Sequence, residues 1–287
     1  MPNIRDIRRR IRSVQSTQQI TKAMKMVAAA KLRRSQERMM AARPYASKML
    51  EVLNSLATRA ENTEYPLLAV RPIRRVHVVV VTADRGLCGG FNTNIVRAAA
   101  DFLRTREAGG ADLSVSLVGR KGRDAFKRRP FRKDGEWTGI STRAAYEDAE
   151  TIARRFIEAY SAGEWDAIYL VYNEFKSVIA QNILVEPLLP IQRLDFHPPT
   201  VMPDYLYEPT APELFGTLLP KHVTFQVFRA LLESAAAENA ARMTAMEGAT
   251  NNARDMIDRL TLFANRVRQA AITKEIIEVV SGAQAQG

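Results

Sequence analysis

Apolar residues recur every seven positions in two long stretches at opposite ends of the chain, enclosing a middle in which short β-branched runs alternate with glycine turns and amphipathic segments. The C-terminal stretch, from about Glu213 to Ser281, has no proline after Pro220 and reads as one helix. Counted from Phe225, its first column is Phe225, Leu232, Asn239, Met246, Ala253, Leu260, Val267 and Lys274, and its second is Phe228, Ala235, Arg242, Ala249, Met256, Phe263, Ala270 and Ile277. A helix with such a stripe cannot bury it against itself and needs a partner of comparable length. At about 1.5 Å per residue this one would span roughly 100 Å. The partner is the N-terminal stretch, where the same repeat runs from Ile4 to Leu53 in one column and from Ile7 to Leu56 in the other. Because the middle must leave and rejoin the pair near one place, the two helices are expected to lie antiparallel. Polar entries in the columns (Gln18, Thr21, Lys25, Ser35, Asn239, Arg242, Lys274) weaken the seam but fix its register.

The N-terminal helix is expected to begin after Asn3, a suitable cap, and to reach about Ala60. Pro44 should kink it or split off a shorter helix from Tyr45, since proline removes a backbone donor and clashes with the preceding turn. Glu61 to Arg75 reads as a connection. Val76 to Thr82, the loop Asp84-Arg85-Gly86-Leu87-Cys88-Gly89-Gly90-Phe91-Asn92 and the amphipathic Thr93 to Arg104 make the strand, loop and helix that open a βαβ unit. Leu113 to Val118 and Ala167 to Tyr172 are further strands, and Ala144 to Ala162 a helix. Ser177 to Leu189, ended by Pro187 and Pro190, and Val201 to Tyr207 read as later strands. Gly119 to Gly139 reads only as polar and basic. The fold class is therefore α/β: a long antiparallel coiled coil of residues 1–60 and 213–281 around a central Rossmann-like sheet domain, 75–208.

Charge sharpens this picture. Residues 1 to 50 hold thirteen Lys/Arg against Asp6 and Glu37, so their excess of eleven equals the net +11 of the whole chain. Such a helix attracts acidic proteins, nucleic acid or anionic lipid. Its first aromatic residue is Tyr45, which argues against stacking on single strands. One cysteine, Cys88, excludes an intramolecular disulfide and suits a reducing compartment. Three histidines, His77, His197 and His222, sit at no ligand spacing, so no metal is expected. No apolar run is long enough to cross a bilayer. The Arg-rich N-terminus has the composition of an organellar transit peptide, but its heptad runs unbroken into the main helix.

Catalysis finds little support. Gly86, Gly89 and Gly90 give neither G-x-G-x-x-G nor a P-loop, Gly119-Arg120-Lys121-Gly122 is too short to specify a phosphate site, and Asp84 has no histidine or second carboxylate near it in sequence. A turn with local hydrogen bonds is the expectation for the glycine loop, and no cofactor is expected.

Four blocks, Ile20 to Lys31, Asp84 to Asn92, Ala241 to Met246 and Arg268 to Glu278, closely resemble the γ subunits of F-type ATP synthases, in order and across the whole chain. The resemblance implies a central rotor shaft that couples proton flow to ATP synthesis or hydrolysis and is not itself catalytic. Its partners would be the α and β subunits of the head, the ε subunit and the ring of membrane c subunits. It would be present in one copy per complex, peripheral to the cytoplasmic face of a bacterial inner membrane. By position in the blocks it implies head-contact or coupling roles for Met24, Lys25, Arg242, Gln269, Thr273, Glu275 and Glu278, with Arg254 at a catch-loop contact. Arg8, Arg9 and Arg10 would be bearing contacts beside the C-terminal tip, and Asp84, Arg85, Gly86, Cys88, Gly89 and Gly90 form the family's central-domain loop. Ala264 stands where the family often has tyrosine, and the single cysteine sets aside the thiol-regulated chloroplast form. The reading from another class is a basic coiled-coil protein that binds nucleic acid through residues 5 to 43; a nucleotide-binding enzyme is third.

Overall fold

The computed structural model describes residues 3–57, 65–140, 144–192, 208 and 210–284, in two compact units. The larger comprises Ala29–Arg242 and the smaller Met1–Ala28 with Met243–Gly287. The two longest helices, α1 (Ile4–Ala57) and α5 (Ala211–Gln284), each contribute to both units.

In the larger unit the chain runs from α1 through a 3-10 turn at Pro66–Leu68 into β1 (Arg75–Val81), α2 (Phe91–Ala108), β2 (Asp112–Val118), α3 (Arg120–Phe126) and β3 (Arg132–Trp137). It continues through α4 (Tyr146–Ser161), β4 (Ala167–Phe175) and β5 (Gln181–Leu189) to α5. The strands form one sheet ordered β3-β2-β1-β4-β5, parallel except for the β4–β5 pair. β1 is buried from Val76 onward because helices cover both faces of the sheet. Its alternate residues feed two cores. Val76, Val78 and Val80 pack with Ile95, Leu103 and Phe126 of α2 and α3. Val79 and Val81 face the cluster holding Ile152 and Phe156 of α4, Leu53 and Leu56 of α1, and Leu219, Leu231 and Leu232 of α5. That second cluster is where the terminal helices grip the sheet. Tyr45 of α1 meets Phe225 of α5 with ring centroids 5.5 Å apart.

Four local expectations are corrected. Gly119 to Gly139 contains a helix and an edge strand: α3 is too short to show periodicity, and β3 is polar because its outer edge meets solvent. β5 begins at Gln181 and passes through Pro187, which pairs with Tyr169 at the sheet's margin, where a missing donor is tolerated. α1 is not split at Pro44; the helix runs on through the proline, which sits on its exposed side. The fourth concerns the α5 seam, below. The expected strand from Val201 to Tyr207 lies outside the described residues.

In the smaller unit, Thr250 Oγ1 donates to Thr21 Oγ1 at 2.8 Å and Lys25 Nζ pairs with Glu247 Oε1 at 2.6 Å, so α1 advances as α5 retreats: the pair is antiparallel. On α1 the heptad positions from Ile4 and Ile7 through Lys25 and Ala28 are all buried or half-buried. On α5 the buried and half-buried positions are Met246, Thr250, Ala253, Ile257, Leu260, Ala264 and Val267, at alternating steps of four and three, with Ala249 and Ala245 beside them. The second column is thus displaced by one residue, and Met256 and Phe263, expected in the seam, are exposed. A straight helix drifts about 20° per heptad against a strict seven-residue repeat, which is enough to move the neighbouring residue into the seam. Beyond Val267 the stripe ends: Arg268 to Ile277 are all exposed, Lys274, Ala270 and Ile277 included.

Candidate functional site

The glycine loop after β1 is built as a bracket. Asp84 Oδ1 accepts from the Arg120 N–H at 3.0 Å and the Gly139 N–H at 2.9 Å, tying the end of β1 to the starts of α3 and the segment after β3. Asn92 Oδ1 accepts from the Ala83 N–H at 2.9 Å, and the Asn92 amide donates to Cys88 Sγ at 3.2 Å. Leu87 and Gly89 turn the loop through φ values of 63° and 56°. Gly119 is needed beside it, because a Cβ there would stand 2.2 Å from the Thr82 carbonyl oxygen. The default reading of a turn held by local hydrogen bonds describes this geometry.

What the loop holds is α5. Ala83, Cys88 and Phe91 pack with Ala237, with Phe175 and Ala241 at the margin. Arg242 reaches the loop from one turn further on: Nη2 donates to the Gly86 carbonyl at 3.3 Å and to Glu238 Oε1 at 2.6 Å, and Nη1 to Asn239 Oδ1 at 3.5 Å. Glu238 and Arg242 keep only 9% and 14% of their side-chain surface. Burial pushes the Glu238 carboxyl above its ordinary range, more than the adjacent Arg242 can draw it down. Burial likewise raises the Cys88 thiol, against the pull of Arg242, so Cys88 is a packing residue with little thiolate. Strand order reverses between β1 and β4, and in open α/β sheets the crevice beyond such strand ends is where nucleotides bind. Here that crevice contains the alanine face of α5.

A second cluster lies in the smaller unit. Lys25, half-buried, is ion-paired to Glu247, and with Lys22 and Arg254 it lines a groove that also includes Gln18 and Asn251. Met24 is half-buried beside it. Arg8, Arg9 and Arg10 are exposed, with Arg9 bonded to Asp6 at 2.7 Å. Counting from the Thr21–Thr250 contact, they stand level with residues 261–263, not beside the end of α5 at Gln284 as expected. Gln269, Thr273 and Glu275 are exposed on the part of α5 that extends past the start of α1; the Glu278 side chain lies outside the described residues. The structure therefore joins Arg242 to the loop residues, and Lys25 to Arg254, and leaves Gln269, Thr273 and Glu275 on a stretch of their own. Glu238 and Glu247 were missed by sequence reasoning, although Glu238 stands four residues before Arg242, the spacing of an ion pair on one helix face.

No group of three or more His, Cys, Asp or Glu among the described residues is arranged to hold a metal ion, and no described helix is long and apolar enough to cross a membrane. A family model described as ATP synthase matches residues 3–286. The chain is 53% identical to the ATP synthase gamma chain of Solibacter usitatus over 99% of both sequences, and 48% identical to that of Pelotomaculum thermopropionicum, again over 99% of both. Among solved structures it resembles a chain from the central stalk and c-ring of Tetrahymena thermophila mitochondrial ATP synthase, with a TM-score of 0.59 and 28% identity over 80% of this chain and 99% of that one. A rotor chain of Euglena gracilis mitochondrial ATP synthase shares the fold at a TM-score of 0.65 and 22% identity, over 94% of this chain and 98% of that one. Full-length identity near one half, with the fold shared, leaves one assignment: the chain belongs to the ATP synthase gamma chain family.

Proposed function

We propose that this chain is the central rotor shaft of an F-type ATP synthase and that it does no chemistry of its own. The smaller unit enters the head of α and β subunits, and the sheet unit meets the ε subunit and the ring of c subunits at the foot. The chain is then present once per complex and peripheral to the membrane on its cytoplasmic face. The observation that carries this reading is the exposed end of α5. Ile272, Ile276, Ile277, Val279 and Val280 are each about half exposed or more, on a helix with no α1 residue opposite. A stretch so apolar is stable only inside a sleeve supplied by other chains. Gln269, Thr273, Glu275 and Glu278 are the polar contacts proposed on that stretch, with Arg8, Arg9, Met24, Lys25 and Arg254 as contacts further down the seam. Arg242 and the loop Asp84, Arg85, Gly86, Cys88, Gly89 and Gly90 hold the shaft to the sheet. The three-part division into 1–60, 75–208 and 213–281 follows as shaft, foot and shaft.

The basic face of α1 suits an acidic track in the head. Diffuse attraction to it permits turning, whereas deep apolar contacts would hold one angle. Reconstitution with α and β subunits tests the reading, using this chain and a version ending at Val267. Stoichiometric assembly by both, with ATPase activity altered in the shortened form, is expected; failure of the full chain to assemble with folded partners would sink it.

A further inference from the structure

Two opposite-charge pairs, each four residues apart, stand where α5 crosses the sheet, and only one of them is closed. Glu238 and Arg242 are bonded at 2.6 Å. Arg229 and Glu233 have the spacing that lets side chains meet on one helix face, yet Arg229 Nε and Glu233 Oε2 are both buried and neither has a hydrogen-bond partner. Arg229 turns instead to the hairpin of β4 and β5. Its Nη2 donates to Glu186 Oε2 on β5 at 2.6 Å and to the Tyr172 hydroxyl on β4 at 3.3 Å, and that hydroxyl donates to Glu186 Oε2 at 2.9 Å. One guanidinium thus ties α5 to the edge strand and leaves the acid one turn away on its own helix unmet.

Two carboxylates therefore compete for Arg229, and they differ in what its loss would cost. The Glu186 side chain keeps 36% of its surface, so water can take the place of Arg229 around it. Glu233 Oε2 is buried, and an ionised carboxylate with an oxygen left unpartnered there is costly. A protonated Glu233 has less need of a cation. The charges acting most strongly on it are Arg229 on its own helix, Glu174 and Lys176 on β4, and Glu186 on β5. Lys176 is paired with Glu174 at 2.9 Å, and His222, two turns before Arg229, is kept neutral by burial, which lowers it to about 4. Burial raises the Glu233 carboxyl above its ordinary range; Arg229 opposes this, Glu174 and Glu186 add to it, and Lys176 opposes. An arginine that precedes its acid makes the weaker kind of helical pair, which keeps the two arrangements close in free energy.

We infer that Arg229 is a two-position latch governed by one proton on Glu233. With Glu233 protonated, Arg229 holds Glu186 and Tyr172, and the edge strand is fastened to α5. When Glu233 gives its proton to solvent, the guanidinium swings to the new carboxylate and Glu186 is left to water. β5 then keeps only its ladder to β4 and the apolar anchors Leu188 and Leu189. Because the fastened state binds the proton more tightly, it is favoured at low pH and lost as pH rises through the folded value of Glu233. The latch lies within the larger unit and does not depend on the shaft reading.

The test is amide exchange of the full chain at pH 5 and pH 8, corrected for the intrinsic rate and read in β5 relative to the inner strand β1. In the native chain β5 is expected to open about tenfold more often at pH 8 than at pH 5. Glu233→Gln cannot ionise, so its β5 should stay within about twofold of the protection that the native chain shows at pH 5. Arg229→Gln should leave β5 equally loose at both pH values. A native β5 that does not respond to pH would overturn the proposal, and so would the same response in Glu233→Gln, which would place the titration on another group. A second readout needs no variant. The Arg229 Nε–H resonance should move downfield between pH 5 and pH 8 as it gains Glu233 for an acceptor, and a resonance that stays in place would equally count against the latch.

Discussion

His77 lies in the centre of the larger unit with no carboxylate partner among the described residues, its ring stacked on Trp165 at 3.8 Å and its two nitrogens bonded to Ser114 Oγ at 2.7 Å and Ser116 Oγ at 2.8 Å. Burial, with Arg155 and Arg132 adding to it, lowers its pKa from 6.5 to about 3. A histidine with a depressed folded pKa binds its proton more weakly in the native state, so its contribution to stability is complete above 6.5 and is lost as pH falls toward 3. Between pH 7 and pH 5 His77 should cost roughly 2 kcal/mol, at about 1.4 kcal/mol per unit below 6.5. Urea unfolding at the two pH values should show this loss, and His77→Gln, which can still bond both serines, should flatten it; His222, lowered to about 4 by burial with Arg229 adding to it, supplies a second, similar slope that remains. Glu238 runs the other way. Its raised carboxyl makes the native state less stable as pH rises from 4.5 through the folded value, and Arg242→Ala would leave that carboxylate buried without its partner. A loss of about 3 to 5 kcal/mol is expected at neutral pH, shrinking as pH falls toward 5. Neither effect could be read from the sequence. His77 and Glu238 are ordinary letters there, and what perturbs them is burial by residues far away in the chain: Ser114, Ser116 and Trp165 for one, the glycine loop for the other.

Between elements, the heptads of α1 and α5 were legible because a seven-residue stripe repeated over many turns has no other use, and the β-branched run of β1 was legible for the same kind of reason. Failures occurred where the element is short or the pattern is carried by solvent. α3 has a glycine, Gly122, inside it because a Cβ there would come within 2.8 Å of Thr82 Oγ1, a constraint set by β1 and invisible in the local sequence. The α5 seam was legible in period but not in phase, since the drift of a straight helix against seven residues accumulates only over several heptads. The corrected phase has a direct check. Ile257→Ala should cost about 1 to 2 kcal/mol as a seam residue, while Met256→Ala, on the exposed side, should stay within about 0.5 kcal/mol, measured by chemical denaturation. Amide exchange of the isolated chain should divide at the same seam. Residues 268 to 284 are expected to exchange freely, and 246 to 267 with 4 to 28 to be protected; uniform protection to the end of α5 would contradict the unpartnered stretch.

At the scale of the molecule, a Rossmann-like sheet serves as a mount for a helix at the strand ends where such sheets commonly bind ligands. The glycine loop remains at the end of β1, where a pyrophosphate would sit in a dinucleotide enzyme, but Ala237 and Ala241 of α5 lie in the crevice and Arg242 bonds the Gly86 carbonyl. Small side chains on α5 allow the close approach, and the buried Glu238–Arg242 pair fixes which turn of the helix sits there. A nucleotide could enter only by displacing α5, which is also the helix that joins α1 in the core against α4. The isolated chain should therefore ignore ATP. If it bound MgATP, a hundredfold excess over Kd would raise its stability by about 2.7 kcal/mol. For a chain of this size that is a rise in Tm of roughly 5 to 10 °C, well above the error of a thermal melt. An unchanged Tm in millimolar MgATP is expected, for the native chain and for Asp84→Asn alike. A rise of several degrees would mean that the crevice opens, and that α5 is a displaceable lid on the sheet instead of its fixed load.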